Sequence, residues 1–239
     1  MTKRIFYSFC FIVIALLVNA QITSAKITFE RKTNLYKKFK HWDGVKDWIK
    51  EEDRVKIDYF EMFIADTVST FKPVESDLHD EFEWATAKNS VYQNLNSGRI
   101  YLVKNMWGEE MHLTDSFISR KWQITENTRN IAGYICRKAI WKANDSTRIY
   151  AWFSYDLTPS TGPERFNGLP GTILGIATED GGVVYFAKKV EILKPDPLLF
   201  IHPKRKKVYT TPELIAQLTK QYGHEKWFKR MLFNQFGVW

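Results

Sequence analysis

Between residues 121 and 160 the chain reads KWQITENTRNIAGYICRKAIWKANDSTRIYAWFSYDLTPS, and apolar and polar residues alternate through most of this segment. Alternation with a period of two places one set of side chains on the buried face of a sheet and the other set in solvent. Short polar stretches, TENTRN and ANDS, separate the alternating runs. Because consecutive strands joined by short turns pair antiparallel, the segment predicts an antiparallel meander.

The flanking segments extend this pattern. Residues 26–37 predict a first strand, residues 54–74 one long bent strand or a hairpin, and residues 90–115 two or three further strands. Asp180-Gly181-Gly182 predicts the turn of a hairpin that spans residues 171–193. Aromatic residues make up 15% of the chain, which favours a β-rich fold because aromatic side chains pack well on a pleated surface.

Helical patterns are confined to two places. Residues 43–53 predict a short helix or helical turn, and a longer helix begins with Thr211 as N-cap and Pro212 at the first helical position. Gly223 separates that helix from a second one. The predicted fold class is therefore mainly β: a curled antiparallel sheet or half-open barrel with a C-terminal helical tail.

The N-terminus predicts a secretory signal peptide over residues 1–20. Lys3 and Arg4 form a short basic start, and Ile5 to Val18 is apolar except for Ser8. Val18 and Ala20 give a small-residue cleavage pattern before Gln21, and Thr23 with Ala25 is a second option. The apolar run is short for a membrane span, which needs about 20 residues, and an uncleaved anchor is the alternative. The expectation is an exported protein, periplasmic or secreted.

The mature chain then divides into a β-rich domain at 21–203 and a basic helical tail at 204–239. The formal charge of the full sequence is +8, and that of the mature chain is +6 because Lys3 and Arg4 are removed with the signal peptide. Such a charge suits contact with anionic surfaces. The one dense basic run, KRKK at 204–207, predicts a solvated loop, and no motif accompanies it that would indicate nucleic-acid binding.

Common catalytic and cofactor motifs are missing from the sequence. It contains no HExxH pair, no G-x-S-x-G elbow, no P-loop and no GxGxxG. The acidic run HDEFE at 79–83 lacks the glycine and the spacing of a calcium loop. Cys136 is the single cysteine left after removal of Cys10, and its place among apolar residues predicts a buried, inert thiol. The sequence therefore predicts no cofactor and no metal site.

The stretch GPERFNGLPGTILG at 162–175 combines turn residues with large apolar ones. Pro170 fits position i+1 of a type II turn, and Gly171 accepts the positive φ of position i+2. A rigid corner, packed by Phe166 and Leu169 against the sheet, is favoured over a ligand loop. The candidate ligand-binding side chains, which are also candidate core, are Trp122, Tyr134, Trp152, Phe166 and Leu169; the first three are expected to line one side of the curled sheet.

Four ordered segments within residues 122–176 resemble the GLPGLI family of exported Bacteroidetes-type proteins. They are Trp122 with Ile124, Thr125 and Glu126; IAGYICRKA at 131–139; AWFSYDL at 151–157; and STGPERFNGLPGTILG at 160–175. The motif residues are Gly162, Pro163, Gly168, Leu169, Pro170 and Gly171. Thr172 departs from the leucine usual in the family. The resemblance implies no established activity or cofactor, and a strand layout similar to lipoprotein-carrier folds.

Three functions are compatible with these features. The first is a non-enzymatic binding or accessory protein of the cell envelope that holds an apolar or peptide ligand. The second is a periplasmic hydrolase-type enzyme that uses acidic residues near the corner, Glu126, Asp156 and Glu164. The third is an assembly factor that binds an outer-membrane protein partner through the basic tail.

Overall fold

The structure is a computed structural model that describes residues 21–40, 42–75, 81–145 and 147–237. The predicted signal peptide, residues 1–20, lies outside the described residues, as do His79 and Asp80 of the acidic run. Within the described ranges, no helix has the length and apolar character needed to cross a membrane.

Eleven strands form one antiparallel sheet that does not close into a barrel. They are β1 (Ser24–Asn34), β2 (Val55–Ala65), β3 (Val68–Pro73), β4 (Ser90–Asn94), β5 (Arg99–Met106), β6 (Glu109–Ser116), β7 (Gln123–Ile131), β8 (Tyr134–Asn144), β9 (Thr147–Ser154), β10 (Thr172–Thr178) and β11 (Val183–Glu191). The order across the sheet is β6-β5-β4-β3-β2-β1-β11-β10-β9-β8-β7. Two meanders therefore run outward from a central β1–β11 pair, and the predicted mainly β antiparallel fold is confirmed.

The structure resolves the alternatives that the sequence left open in the two meanders. Residues 54–74 form a hairpin, β2 and β3, which turns at Asp66 with a positive φ of 46°. Residues 90–115 contain three strands, β4 to β6. In β9 the buried set is Ile149, Ala151 and Phe153, all fully buried, while Trp152 lies on the opposite face of the strand.

The two faces of the sheet differ in composition. We call inner the face that carries Phe29 and Arg31 of β1, both buried, and outer the face that carries Glu30 and Lys32. Phe60 of β2 pairs with Phe29 and also lies on the inner face. Buried side chains from both meanders form one continuous core, to which the loop between β9 and β10 contributes Leu157, Phe166 and Leu169.

The described residues contain four α-helices, α1 (Leu35–Lys38), α2 (Asp43–Lys46), α3 (Thr211–Tyr222) and α4 (Phe228–Phe236), and two short 3-10 helices, Glu83–Ala85 and Pro197–Phe200. The N-cap of α3 is Thr210, not the predicted Thr211. Thr210 accepts the backbone N–H of Glu213, whose carboxylate accepts the N–H of Thr210, so the two residues form a capping box.

The helical tail packs on the same core as the sheet. Leu214 and Leu218 of α3 and Phe228 of α4 are buried in that core. Tyr209 bridges to Leu113 of the edge strand β6 and places the start of α3 beside it. The tail therefore protects one edge of the sheet and is not a detached appendage.

Candidate functional site

The corner between β9 and β10 is buried along most of its length. Residues 161–167 all lie inside the protein, and Phe166 and Leu169 are 0% and 2% exposed. Pro163 is buried, whereas Gly168 and Pro170 reach the surface. A loop this deep needs internal partners for its polar groups, and the inner face of the sheet supplies them.

The glycines of the corner mark places where the backbone approaches its neighbours closely. At Gly171, with φ of +152°, an added Cβ would lie 2.0 Å from the Ser154 carbonyl oxygen. At Gly162 it would lie 2.7 Å from Ile173 Cβ. The predicted type II turn is wrong in detail: the Gly171 N–H donates to the Leu169 carbonyl at 2.8 Å, which makes a γ-turn centred on Pro170.

Glu164 is held in a strained backbone conformation within this corner. Its φ is +54°, at the second position of a turn closed by the Phe166 N–H to the Pro163 carbonyl. Glycine is preferred there, because a side chain at positive φ costs roughly 1–3 kcal/mol. Glu164 is 1% exposed, and its carboxylate accepts hydrogen bonds from Tyr185 Oη at 2.7 Å and Asn89 Nδ2 at 3.0 Å.

Further polar contacts tie the corner to the first meander. Asn167 donates to Gln93 Oε1 at 2.9 Å, and Gln93 Nε2 donates to Thr161 Oγ1 at 3.1 Å. Thr161 also shares a hydrogen bond with Ser69. These buried bonds satisfy the polar groups that the loop brings inside, and they fix its position against β3 and β4.

A small polar cavity of about 50 Å³ lies beside Glu164, and we call it the inner cavity. Its charged lining residues are Arg31, Lys38, Lys104 and Glu164, and Tyr185 and Gln235 also face it. Arg31 donates through Nε and Nη2 to Asp58 Oδ2, at 3.1 and 2.6 Å, and through Nη1 to the Ala87 carbonyl.

The two lysines of the inner cavity have perturbed acidities. Burial lowers the pKa of Lys104 to about 8, and repulsion from Arg165 and Lys38 adds to that effect. Burial and the charge of Arg31 lower the pKa of Lys38 to about 8. The pKa of Asp58 lies below its ordinary value because Arg31 and Lys56 outweigh its desolvation.

A second, larger space opens on the outer face, and we call it the outer groove. Its volume is about 660 Å³, within the range of roughly 300–1,000 Å³ typical of small-molecule sites. Val184 and Phe186 of β11 form its apolar floor, and Ile131 and Ala132, from the turn between β7 and β8, line another side.

Charged side chains rim the outer groove. Three cationic residues, Lys32, Arg129 and Lys188, face one carboxylate, Glu30. Glu30 lies 3.4 Å from Lys32 and 3.8 Å from Lys188. The Arg129 guanidinium lies 4.4 Å from the centre of the half-buried Phe186 ring. The rim therefore carries more positive than negative charge beside an aromatic side chain.

The predicted ligand-binding residues separate into two groups. Trp122 donates to the Asn167 carbonyl and its ring lies 6.4 Å from that of Phe166, on the inner side. Trp152 lies on the outer face, 5.3 Å from Phe186 of the groove. Tyr134 falls on the face of Trp152, because Lys138 of β8 pairs with Trp152 and lies four residues after Tyr134. The three aromatic residues therefore do not line one side of the sheet.

The three acidic residues considered for hydrolysis have separate partners. Glu126 pairs with Arg137 and is exposed, and Asp156 contacts Ser154 at the surface. Glu164 alone lies in the inner cavity. No contact between any two of these carboxylates occurs in the described residues.

The remaining sequence-derived candidates also have defined places. Cys136 is fully buried, as expected, and burial raises the pKa of its thiol to about 12. The run 204–207 is exposed, as expected of a solvated loop. Among the described residues, no group of three His, Cys, Asp or Glu side chains could hold a metal ion.

Sequence analysis missed Arg31, Lys104 and Tyr185 as site residues. Arg31 and Lys104 occupy core-facing positions of their strands and are 5% and 2% exposed. The available signal was a charged residue in phase with buried apolar neighbours, as Arg31 is in phase with Phe29. Burial of a charge without a partner is costly, so such a position indicates a partner elsewhere in the chain.

No protein-family model matches the chain, and no curated protein matches it. Among solved structures, PNGF-II resembles it in two crystal forms, each with a TM-score of 0.53, at 17% and 16% identity over 83% and 79% of this chain. The match spans 32% of the PNGF-II chain. An uncharacterized conserved protein from Thermus thermophilus aligns with a TM-score of 0.42 at 7% identity, over 84% of this chain and 98% of its own. The likeness to PNGF-II is a likeness of β fold.

Proposed function

We propose that this protein is an exported, GLPGLI-type binding protein of the cell envelope, and that the outer groove holds its ligand. The observation that carries the proposal is the groove itself, about 660 Å³ of open space over an apolar floor with a cationic rim. An aromatic floor contributes affinity through apolar burial, and rim charges orient a ligand. The sequence patterns of residues 1–20 and 162–171 support export and family membership in this proposal.

The lining favours one ligand chemistry, an apolar body that carries an acidic group. Phe186 and Val184 fit the apolar part. Lys32, Arg129 and Lys188 outnumber Glu30 and therefore favour a carboxylate, sulfonate or phosphate group at the rim. A short peptide with an apolar residue at a free C-terminal carboxylate satisfies the same chemistry.

A matched pair of fluorescent probes tests this proposal. 8-Anilino-1-naphthalenesulfonate and N-phenyl-1-naphthylamine share their aromatic body, and the first alone carries an acidic group. We expect the native protein to bind the sulfonate more tightly than the neutral probe. Trp152→Ala should weaken the binding of both probes, because the Trp152 ring packs against Phe186 of the groove floor.

Charge variants separate the groove from the rest of the basic surface. Lys32→Gln combined with Lys188→Gln should weaken binding of the sulfonate roughly tenfold, about 1.4 kcal/mol, and should leave the affinity for the neutral probe unchanged. Lys26→Gln combined with Lys189→Gln removes the same charge from β1 and β11, outside the groove lining. Equal losses in the two double variants, or no binding of either probe to the folded protein, would contradict the proposal.

A further inference from the structure

The inner cavity contains more positive than negative charge. Arg31, Lys38 and Lys104 face it, and Glu164 is the one carboxylate among its described lining residues. Asp58, which lies behind Arg31, does not neutralise this excess of positive charge, because other cations surround it. Asp58 lies 3.1 Å from Lys56 Nζ and 3.8 Å from Lys88 Nζ, in addition to its bonds with Arg31.

The cationic groups of the cavity have unused donors. Lys38 Nζ makes no hydrogen bond or ion pair with any described residue. Within the described chain, Lys104 Nζ donates one hydrogen bond, to Asn89 Oδ1 at 3.2 Å, and lies 5.6 Å from the centre of the Phe236 ring. Each ammonium has three N–H donors, so donors remain free to bind a guest.

The α4 helix adds an unsatisfied amide to the same cavity. Gln235 Oε1 is buried and has no hydrogen-bond partner in the described chain. Rotation of this amide by 180° places its N–H₂ group where Oε1 lies. The amide can then donate to a guest in the cavity, and a bound acceptor would satisfy it.

The size of the cavity limits the guest. A buried water occupies roughly 10–15 Å³, so a cavity of about 50 Å³ accommodates a few non-hydrogen atoms. A sugar, a nucleotide or an acyl chain is too large. A compact anion fits, and it compensates charge that otherwise remains buried without a partner.

We propose that the inner cavity is a binding site for one compact monovalent anion, held by Lys38 and Lys104 with Gln235 as a third donor. Glu164 sets the limit of affinity, because its carboxylate competes for the same cations. The anion would join β5, which carries Lys104, to α1 and α4, which carry Lys38 and Gln235. This site is independent of the outer groove, which lies on the opposite face of the sheet.

Thermal unfolding of the mature chain, residues 21–239, tests the proposal with chloride and formate as probes. Each sodium salt replaces sodium gluconate at constant ionic strength, because gluconate is too large to enter. We expect a saturable rise in Tm with either probe, of roughly 5–10 °C at 100 times the dissociation constant. The line width of the ³⁵Cl resonance should increase with protein and fall again when formate is added.

Variants of opposite expected effect make the test specific. Lys38→Gln should weaken chloride binding at least tenfold, and Glu164→Gln should make chloride bind more tightly. Lys40→Gln, an exposed lysine two residues from Lys38, is the matched control and should leave the titration unchanged. A Tm that rises without saturation, or an unchanged chloride titration in folded Lys38→Gln, would overturn the proposal.

Discussion

Replacement of Gly171 by alanine should destabilise the protein strongly, because both the backbone angle and the space at this position require glycine. The φ of Gly171 is +152°, and an added Cβ would lie 2.0 Å from the Ser154 carbonyl oxygen and 3.2 Å from that of Leu157. Both obstacles are backbone atoms, which a side-chain rotation cannot move. The end of β9 and the start of β10 would have to separate where Thr172 pairs with Ser154.

Two costs combine to give the expected magnitude. A non-glycine residue at an unfavourable φ costs roughly 1–3 kcal/mol, and a backbone shift forced by an added methyl group costs about 1–3 kcal/mol more. Gly171→Ala should therefore lower the free energy of unfolding by about 4 kcal/mol. For a chain of this size, that corresponds to a fall in Tm of roughly 8–16 °C.

Gly168→Ala is the control that separates the two costs. Gly168 also has a positive φ, +88°, but an added Cβ there would have its nearest neighbour, Trp122 Nε1, at 3.7 Å. Only the conformational cost of about 1–2 kcal/mol applies. Urea denaturation of both variants measures the difference. If Gly171→Ala were no less stable than Gly168→Ala, the steric account of the corner would be wrong.

Three further predictions concern the core and its titrating groups. Native Cys136 should not react with a disulfide reagent at pH 8, since its thiol is buried and has a pKa of about 12, whereas the urea-unfolded chain should react fully. Leu214→Ala should cost about 2–4 kcal/mol in urea denaturation, and Gln217→Ala on the exposed face of the same helix should cost less than 0.5 kcal/mol by the usual behaviour of surface sites. Burial lowers the pKa of Lys104 to about 8, so the free-energy cost of burying its charge is fully present below pH 8. That cost disappears as the pH rises toward about 10.4, the pKa of lysine in the unfolded chain. The free energy of unfolding of the wild type should therefore rise over that interval relative to Lys104→Met, and an equal pH dependence of the two proteins would contradict the lowered pKa.

Local patterns were sufficient to predict most of the sheet. Period-two alternation predicted the strands of both meanders, because each strand has one buried face. The position of the α3 cap was available from local rules as well. Thr210 is followed three residues later by Glu213, the spacing of a capping box, whereas Thr211 is not.

The candidate sites could not be predicted because their contacts join distant parts of the chain. Arg31 contacts Tyr185 from 154 residues away, and Glu164 accepts from Asn89 across 75 residues. Arg31 meets Tyr185 because β1 pairs with β11, and no short stretch of sequence encodes that pairing. The separation of Trp122 from Trp152 also arises from contacts between distant parts of the chain, because Trp122 contacts Asn167 and Phe166 of the corner.

The central position of the β1–β11 pair has a consequence for folding kinetics. Lys26 pairs with Glu191 and Thr33 with Val183, so the middle of the sheet forms only when almost the whole chain is present. Such non-local pairing slows folding because a long loop must close before its contacts form. A chain that crosses a membrane unfolded would benefit from this delay. For the exported protein proposed here, late closure would keep the nascent chain in a translocation-competent state until its last strand arrives.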